Sequence, residues 1–185
     1  MNKIIIISGP SGAGKGTIKK YLLNEFDSLK ELVTTTTRAK RKEDVAGKTY
    51  NFVSKEKFES WIKKDELIEY DFHFGNYYGS RISDVEKILK NKKNILIEVD
   101  VKGAMTFKEK FSDAKMIFIK PPTINELKKR IIARDKPTKE DLNQRITRVK
   151  EEYKFVKKFD FVVINNDLTI AKNETKKIVK NIVGN

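Results

Sequence analysis

Apolar positions along the chain fall into short runs separated by longer amphipathic stretches. Ile4–Ser8 is a β-branched run without polar alternation, the pattern of a strand buried on both faces. Residues 95–99, 116–119 and Phe161–Ile164 repeat that pattern, and Pro121-Pro122 stops the second of these. Between the runs, residues 15–26, 83–90, 104–111, 124–134, 139–157 and Leu168–Val183 carry helical patterns. Strands alternating with helices predict an α/β fold, with a parallel sheet and helices on both faces. Two stretches break the alternation. Residues 34–82, rich in Thr, aromatics and Gly, predict a small mixed insertion. Residues 126–150 are helical and strongly charged, with Pro137 near their middle. They hold nine Lys or Arg against four Asp or Glu. The expected organisation is a core of 1–33, 83–125 and 151–185, an insertion at 34–82, and a separate helical lobe at 126–150. The sequence carries no internal repeat, low-complexity linker or heptad pattern.

Composition narrows the chemistry. A chain of 185 residues accommodates one domain with a sizeable core or a core with small lobes. Its aliphatic runs speak against disorder despite 36% charged residues. There is no cysteine, which excludes disulfides, thiolate metal sites and thiol catalysis. The single histidine, His73, leaves a hard, oxygen-bound cation such as Mg²⁺ as the metal chemistry that fits. The N-terminal apolar run is too short for a signal peptide or membrane span, so the expected compartment is the cytoplasm, with no membrane partner. A formal net charge of +14 has three readings: nucleic-acid binding, attraction of phosphorylated small substrates, or a solvated lysine-rich surface. The lysines are spread along the whole chain, which suits the last.

Gly9-Pro10-Ser11-Gly12-Ala13-Gly14-Lys15-Gly16-Thr17 follows the first strand and opens a helix, the context a phosphate-binding loop requires. Successive backbone N–H groups at a helix start form a concave anion site, and the helix dipole reinforces it. Lys15 is placed to reach the β- and γ-phosphates. The usual pattern has Ser or Thr directly after the lysine; here Gly16 stands there and Thr17 follows, a variant that also occurs in nucleoside monophosphate kinases. Mg²⁺ then takes Thr17, or water, where that hydroxyl would act. The loop implies nucleoside triphosphate binding and does not name the reaction.

Within the insertion, Arg38 and Arg41 stand three apart, a spacing at which two guanidinia can grip one phosphate. Together with Thr36-Thr37-Arg38, Tyr50-Asn51-Phe52-Val53, Gly75-Asn76-Tyr77-Tyr78-Gly79-Ser80 and the Pro-Pro pair, the phosphate loop makes the chain resemble the guanylate kinase family over essentially its whole length. The resemblance implies that Arg38, Arg41, Tyr50 and Tyr78 hold the phosphate of GMP. It implies that Glu69 accepts from guanine N1–H and the exocyclic amine, and that Thr34 and Ser80 donate to O6. Gly79 and Asp100 fall on the same GMP-binding side. A carboxylate facing two adjacent donors suits guanine and not adenine. The family's usual Ser is Thr34 here, and its Arg-x-Gly-Glu reads Arg41-Lys42-Glu43-Asp44.

Glu98 and Asp100 close a strand candidate, the place where open parallel sheets bind ligands. An acid there positions Mg²⁺ or its waters, and Asp100 is the stronger candidate because the family has Asp-x-Asp. Residues 126–150 resemble the family's lid. Arg134 and Arg145 match its ATP-clamping arginines, Arg130 and Arg148 stand as supports, and the family's Gly-Arg-Gly reads Ala133-Arg134-Asp135. Asn165-Asn166-Asp167 resembles a segment near the adenine. His73 and Trp61 read as packing residues, as do Tyr77 and Phe52.

The resemblance therefore implies Mg²⁺-dependent transfer of the ATP γ-phosphate to GMP, and to dGMP, within purine nucleotide metabolism and GMP recycling. Lys15, Arg134 and Arg145 are its catalytic residues, and two lobes close over a rigid core. The rivals are a non-enzymatic module of the same fold, a nucleic-acid-binding protein and a kinase for another base. The intact Gly14-Lys15 and lid arginines, the lack of a nucleic-acid motif and Glu69 weigh against them in turn. Oligomeric state is left open.

Overall fold

Four consecutive isoleucines can all be buried only if neighbouring layers cover both faces of their strand, and they are. The computed structural model describes residues 2–42, 44–73 and 75–184, except the side chain of His73, so the packing role expected of His73 lies outside the described residues. In chain order the elements begin with β1 (Ile4–Ser8), α1 (Lys15–Glu25), β2 (Leu29–Glu31), β3 (Thr35–Thr36), β4 (Asn51–Phe52), α2 (Lys55–Lys63), β5 (Leu67–His73) and β6 (Asn76–Arg81). They continue with α3 (Ile82–Lys90), β7 (Asn94–Glu98), α4 (Val101–Lys110), β8 (Lys115–Lys120), α5 (Ile124–Asp135), α6 (Lys139–Tyr153), β9 (Phe161–Ile164) and α7 (Leu168–Val183). One sheet has the order β2-β7-β1-β8-β9 and is parallel throughout.

Side chains alternate across this sheet as the pleat requires. Ile4, Ile6, Ile95, Ile97, Met116 and Phe118 face α3 and α4, where Val85, Ala104 and Phe107 meet them. Ile5, Ile7, Leu96, Ile117, Ile119 and Val163 face α1 and α7, against Ile18, Leu22, Ala171 and Val179. The four strands expected from sequence are the four central and right-hand strands of this sheet. The fifth, β2, is three residues long and only Leu29 in it is buried, too weak a signal to read beforehand.

The insertion is a second sheet of order β4-β3-β6-β5, mixed as expected, closed by α2. It has its own apolar cluster of Phe58, Trp61 and Leu67, against which Tyr77 packs. The Tyr77 ring stacks on Phe58 at 5.1 Å between centroids, so Trp61 and Tyr77 are packing residues.

Local chemistry moves three helix boundaries. α4 starts at Val101 and not at residue 104, because the Asp100 carboxylate caps it by accepting from the Gly103 N–H at 2.8 Å. α5 ends at Asp135, with Lys136 after it in the left-handed region; Pro137 cannot continue the helix, and Thr138 caps α6. α6 stops at Tyr153, short of the expected 157. The chain then makes a 3-10 turn at Val156–Lys158, which puts Phe159 edge-on to Phe118 at 5.0 Å. α5 and α6 form a hairpin around Leu127, Ile131 and Val149.

Phe107 fills the space beneath the central strands and is wholly buried. Phe107→Ala is expected to lower stability by about 3–5 kcal/mol through the cavity it leaves. Urea denaturation would show this as a lower midpoint at unchanged slope.

Candidate active site

The carboxyl ends of the parallel strands open onto one crevice of about 590 Å³. The phosphate loop leaves β1 there. Gly9 has φ 133°, and a Cβ on it would stand 2.0 Å from the Ile119 carbonyl oxygen, so the loop hugs the end of β8 as only glycine allows. Asn165, just past β9, is buried and donates from Nδ2 to the Ala13 carbonyl at 2.8 Å. Arg130 Nη1 holds the Asn165 carbonyl in turn at 2.9 Å. Asn165 and Arg130 therefore brace the loop from behind.

Lys15 curls back over the loop, its ammonium donating to the carbonyls of Gly9 at 2.7 Å and Pro10 at 3.1 Å. Burial lowers its pKa against the pull of nearby carboxylates, Glu98 foremost. Four residues on, and so on the same face of α1, Lys19 pairs with Glu31 at 2.7 Å and Glu98 at 3.4 Å. From the hairpin, Arg134 reaches Ser11 Oγ at 3.1 Å, and Arg134 and Arg145 both bind the Asp135 carboxylate. Arg148 meets Asp100 Oδ2 at 2.7 Å.

On the insertion side, Ser80 Oγ donates to Glu69 Oε1 at 2.7 Å. Burial pushes the Glu69 carboxyl up to about 7; the Ser80 bond opposes this, and the Asp100 and Asp71 charges add to it. Arg38 pairs with Asp44 at 2.8 Å and lies over the Tyr50 ring, which meets Tyr78 edge-on at 5.8 Å. Asp44 also accepts from the Arg41 backbone N–H at 2.8 Å. These contacts, the Arg41 N–H first, hold its carboxyl below the usual range. The two arginines thus share one buried acid, Arg38 through its guanidinium and Arg41 through its main chain.

Gly9, Ser11, Lys15, Thr34, Tyr50, Glu69, Tyr78, Asp100, Arg134 and Arg145 all line the crevice. Ser80 is buried behind Glu69, and Thr17 is exposed on α1. Gly79 is a close-packing position, where a Cβ would stand 2.7 Å from the Glu69 carbonyl.

Sequence reasoning passed over Lys19 and Glu152. Glu152 lies four residues after Arg148, on the same face of α6, and accepts from it at 3.2 Å. Its other oxygen is buried without a hydrogen-bond partner among the described residues, and burial raises its pKa. Helical spacing from Lys15 and from Arg148 would have found both residues.

Acidic oxygens suit a hard cation carried in by phosphates. Among the described residues no three acidic, His or Cys side chains cluster closely enough to hold a metal alone. Glu98 Oε2 lies 3.6 Å from where a Gly16 side chain would begin, so its longer arm reaches the room left by the missing hydroxyl residue. The donor set thus fits Mg²⁺ bound by one or two carboxylates together with nucleotide phosphates.

A parallel sheet, a lysine-bearing phosphate loop and convergent arginines define a P-loop nucleotide kinase. The guanylate kinase family profile matches residues 1–182. A guanylate kinase of Halalkalibacterium halodurans is 40% identical over 95% of this chain and 86% of its own. One from Clostridium perfringens is 43% identical over 95% and 82%. The crystal structure of guanylate kinase from Anaplasma phagocytophilum superposes with a TM-score of 0.78 at 27% identity, covering 100% of this chain and 87% of that one. The chain belongs to the guanylate kinase family. No helix among the described residues is long and apolar enough to cross a membrane.

With the folded-state pKa of Glu69 raised from 4.5 to about 7, its contribution to stability is fully present below pH 4.5 and is lost as pH rises through 7. Glu69→Gln removes the ionisation, so the variant is expected to melt higher than the parent at pH 8, by about 1–3 kcal/mol. The difference should vanish near pH 5, and thermal melts across that range would check it.

Proposed function

We propose that this chain transfers the γ-phosphate of ATP to GMP, giving ADP and GDP, with dGMP as a second acceptor, in the cytoplasm as part of GMP recycling. The observation that carries this reading is the convergence of two different recognition devices on one crevice. A phosphate loop stands at one end and a buried carboxylate with adjoining hydroxyls at the other.

In this reading the loop amides and Lys15 hold the ATP phosphates. Arg134 and Arg145 spread their charge over the oxygens of the group in transit. Arg38, Arg41, Tyr50 and Tyr78 hold the acceptor phosphate, with Asp44 keeping Arg38 in place. Glu69, ionised, takes the two donors on the guanine edge, and Thr34 and Ser80 serve O6. Gly79 keeps the sheet thin enough for Ser80 and Glu69 to meet. A phosphate oxygen of GMP attacks the γ-phosphorus in line, that bond forms, and the bond to the β,γ-bridging oxygen breaks with its electrons leaving on ADP. Mg²⁺, when bound with ATP, neutralises phosphate charge. Glu98, Asp100 and Glu152 offer oxygens to it or to its waters, and Thr17 remains a further candidate.

The lobes at 34–82 and 126–150 close over the core at 1–33, 83–125 and 151–185, keeping water from the reacting phosphate. The small apolar clusters within the insertion and within the α5–α6 hairpin support this division.

A coupled assay of ADP formation with GMP, dGMP, AMP, CMP and UMP tests the reading. Turnover is expected on the guanine nucleotides, with Lys15→Ala reducing it by about a hundredfold or more. No turnover on any acceptor by folded protein would overturn it. Because Glu69 takes up a proton near neutrality, KM for GMP is expected to rise as pH falls below 7 while KM for ATP stays level. Glu69→Gln should remove that dependence.

A further inference from the structure

Asp135 ends α5, and the C-terminal end of a helix disfavours anions because its last carbonyls point there. Helix stability therefore gives no reason for a carboxylate at this place. Both of its oxygens are nevertheless engaged. Arg134 Nε lies 2.7 Å from Oδ1 and Nη2 lies 2.8 Å from Oδ2, a two-pronged pair, while Arg145 Nη1 donates to Oδ2 from the facing helix. These bonds hold the Asp135 carboxyl far below the usual carboxylate range, Arg134 contributing more than Arg145, so it is anionic at every working pH.

All three side chains line the crevice, and Arg134 reaches Ser11 of the phosphate loop at the same time. One carboxylate thus occupies the point where the two arginines converge. A guanidinium presents the same planar fork to a carboxylate as to a phosphate. The arginines cannot give their full donor set to both.

We propose that Asp135 is a positioning residue that stands in for phosphate: it holds Arg134 and Arg145 together over the loop when no nucleotide is bound, yields them to the incoming phosphates, and reclaims them as ADP leaves. The exchange keeps two like charges converged in the empty crevice. It also weakens the hold on ATP and ADP, since each must displace an anion that then remains nearby as a like charge. This rests on the reading of Arg134 and Arg145 as phosphate ligands.

The test compares wild type with Asp135→Asn, Asp135→Gly and Asp135→Glu. Isothermal titration with Mg²⁺-ADP reads affinity without turnover, steady-state assays read KM for ATP and for GMP, and thermal melts read folding. The Asn and Gly variants are expected to bind ADP about three- to tenfold tighter, the effect of removing one charge a few ångströms from the phosphates. KM for ATP should fall in proportion and KM for GMP should not move. Asp135→Glu, which keeps the charge, should stay near wild type. A carboxylate that merely ties α5 to α6 would instead lower the melting temperature and leave ADP affinity unchanged or weaker in both neutral variants, and that result overturns the proposal. The Gly variant decides the matter if the Asn variant folds poorly. Wild type that binds ADP but turns over no acceptor would sink the kinase reading and leave this comparison intact.

Discussion

Like charges brought into a half-buried crevice repel strongly, and this molecule brings five of them together. Lys15, Lys19, Arg134, Arg145 and Arg148 line one space. Unit charges a few ångströms apart near a protein surface interact by about 4 kcal/mol, so such a cluster needs counter-charges. Acids on separate elements supply them. Glu31 and Glu98 hold Lys19, Asp135 holds Arg134 and Arg145, and Asp100 with Glu152 holds Arg148. Among the described residues, seven acidic ones line the crevice beside the five cations. The chain's net charge of +14 therefore does not come from this space. Its surplus lies on the remaining surface, where it adds to the long-range field an approaching polyanion feels.

The parallel sheet makes this arrangement affordable in geometry. β1, β7 and β8 are covered on both faces, so their carboxyl ends are fixed points from which the phosphate loop, Glu98 and Asp100 depart. Asn165 ties the loop to the end of β9, across 152 residues of sequence. The insertion and the α5–α6 hairpin bring their side chains to this platform, each around a small apolar cluster, and Tyr153 joins the hairpin's cluster to the core. The side chains that line the crevice thus come from the sheet platform, the insertion and the hairpin together.

Glu69 shows how burial changes an ordinary carboxylic acid. Its carboxyl faces Ser80 and the neighbouring charges of Asp100 and Asp71 in a poorly hydrated corner, which pushes its pKa up to about 7. An acid that is costly to ionise has much to gain from a ligand that supplies two donors at once. Stability and ionisation oppose each other at that position.

Much of the architecture was legible in the sequence. A run such as Ile4–Ser8 carries no polar alternation, which forces cover on both faces wherever it is placed, and the loop that follows declares its chemistry through consecutive residues. Cleft residues from Lys15 to Arg145 could be named in advance because motif spacing is local. The short strands β2, β3 and β4 could not, since two or three residues hold no period and become strands only through their partners. Tertiary structure alone decided which charges meet. Asp100 spends one oxygen capping its own helix and the other on Arg148, 48 residues away, and Arg134 finds Ser11 across 123. Periodicity is a property of neighbours along the chain, whereas a charge chooses its partner by distance in space, and only packing sets that distance.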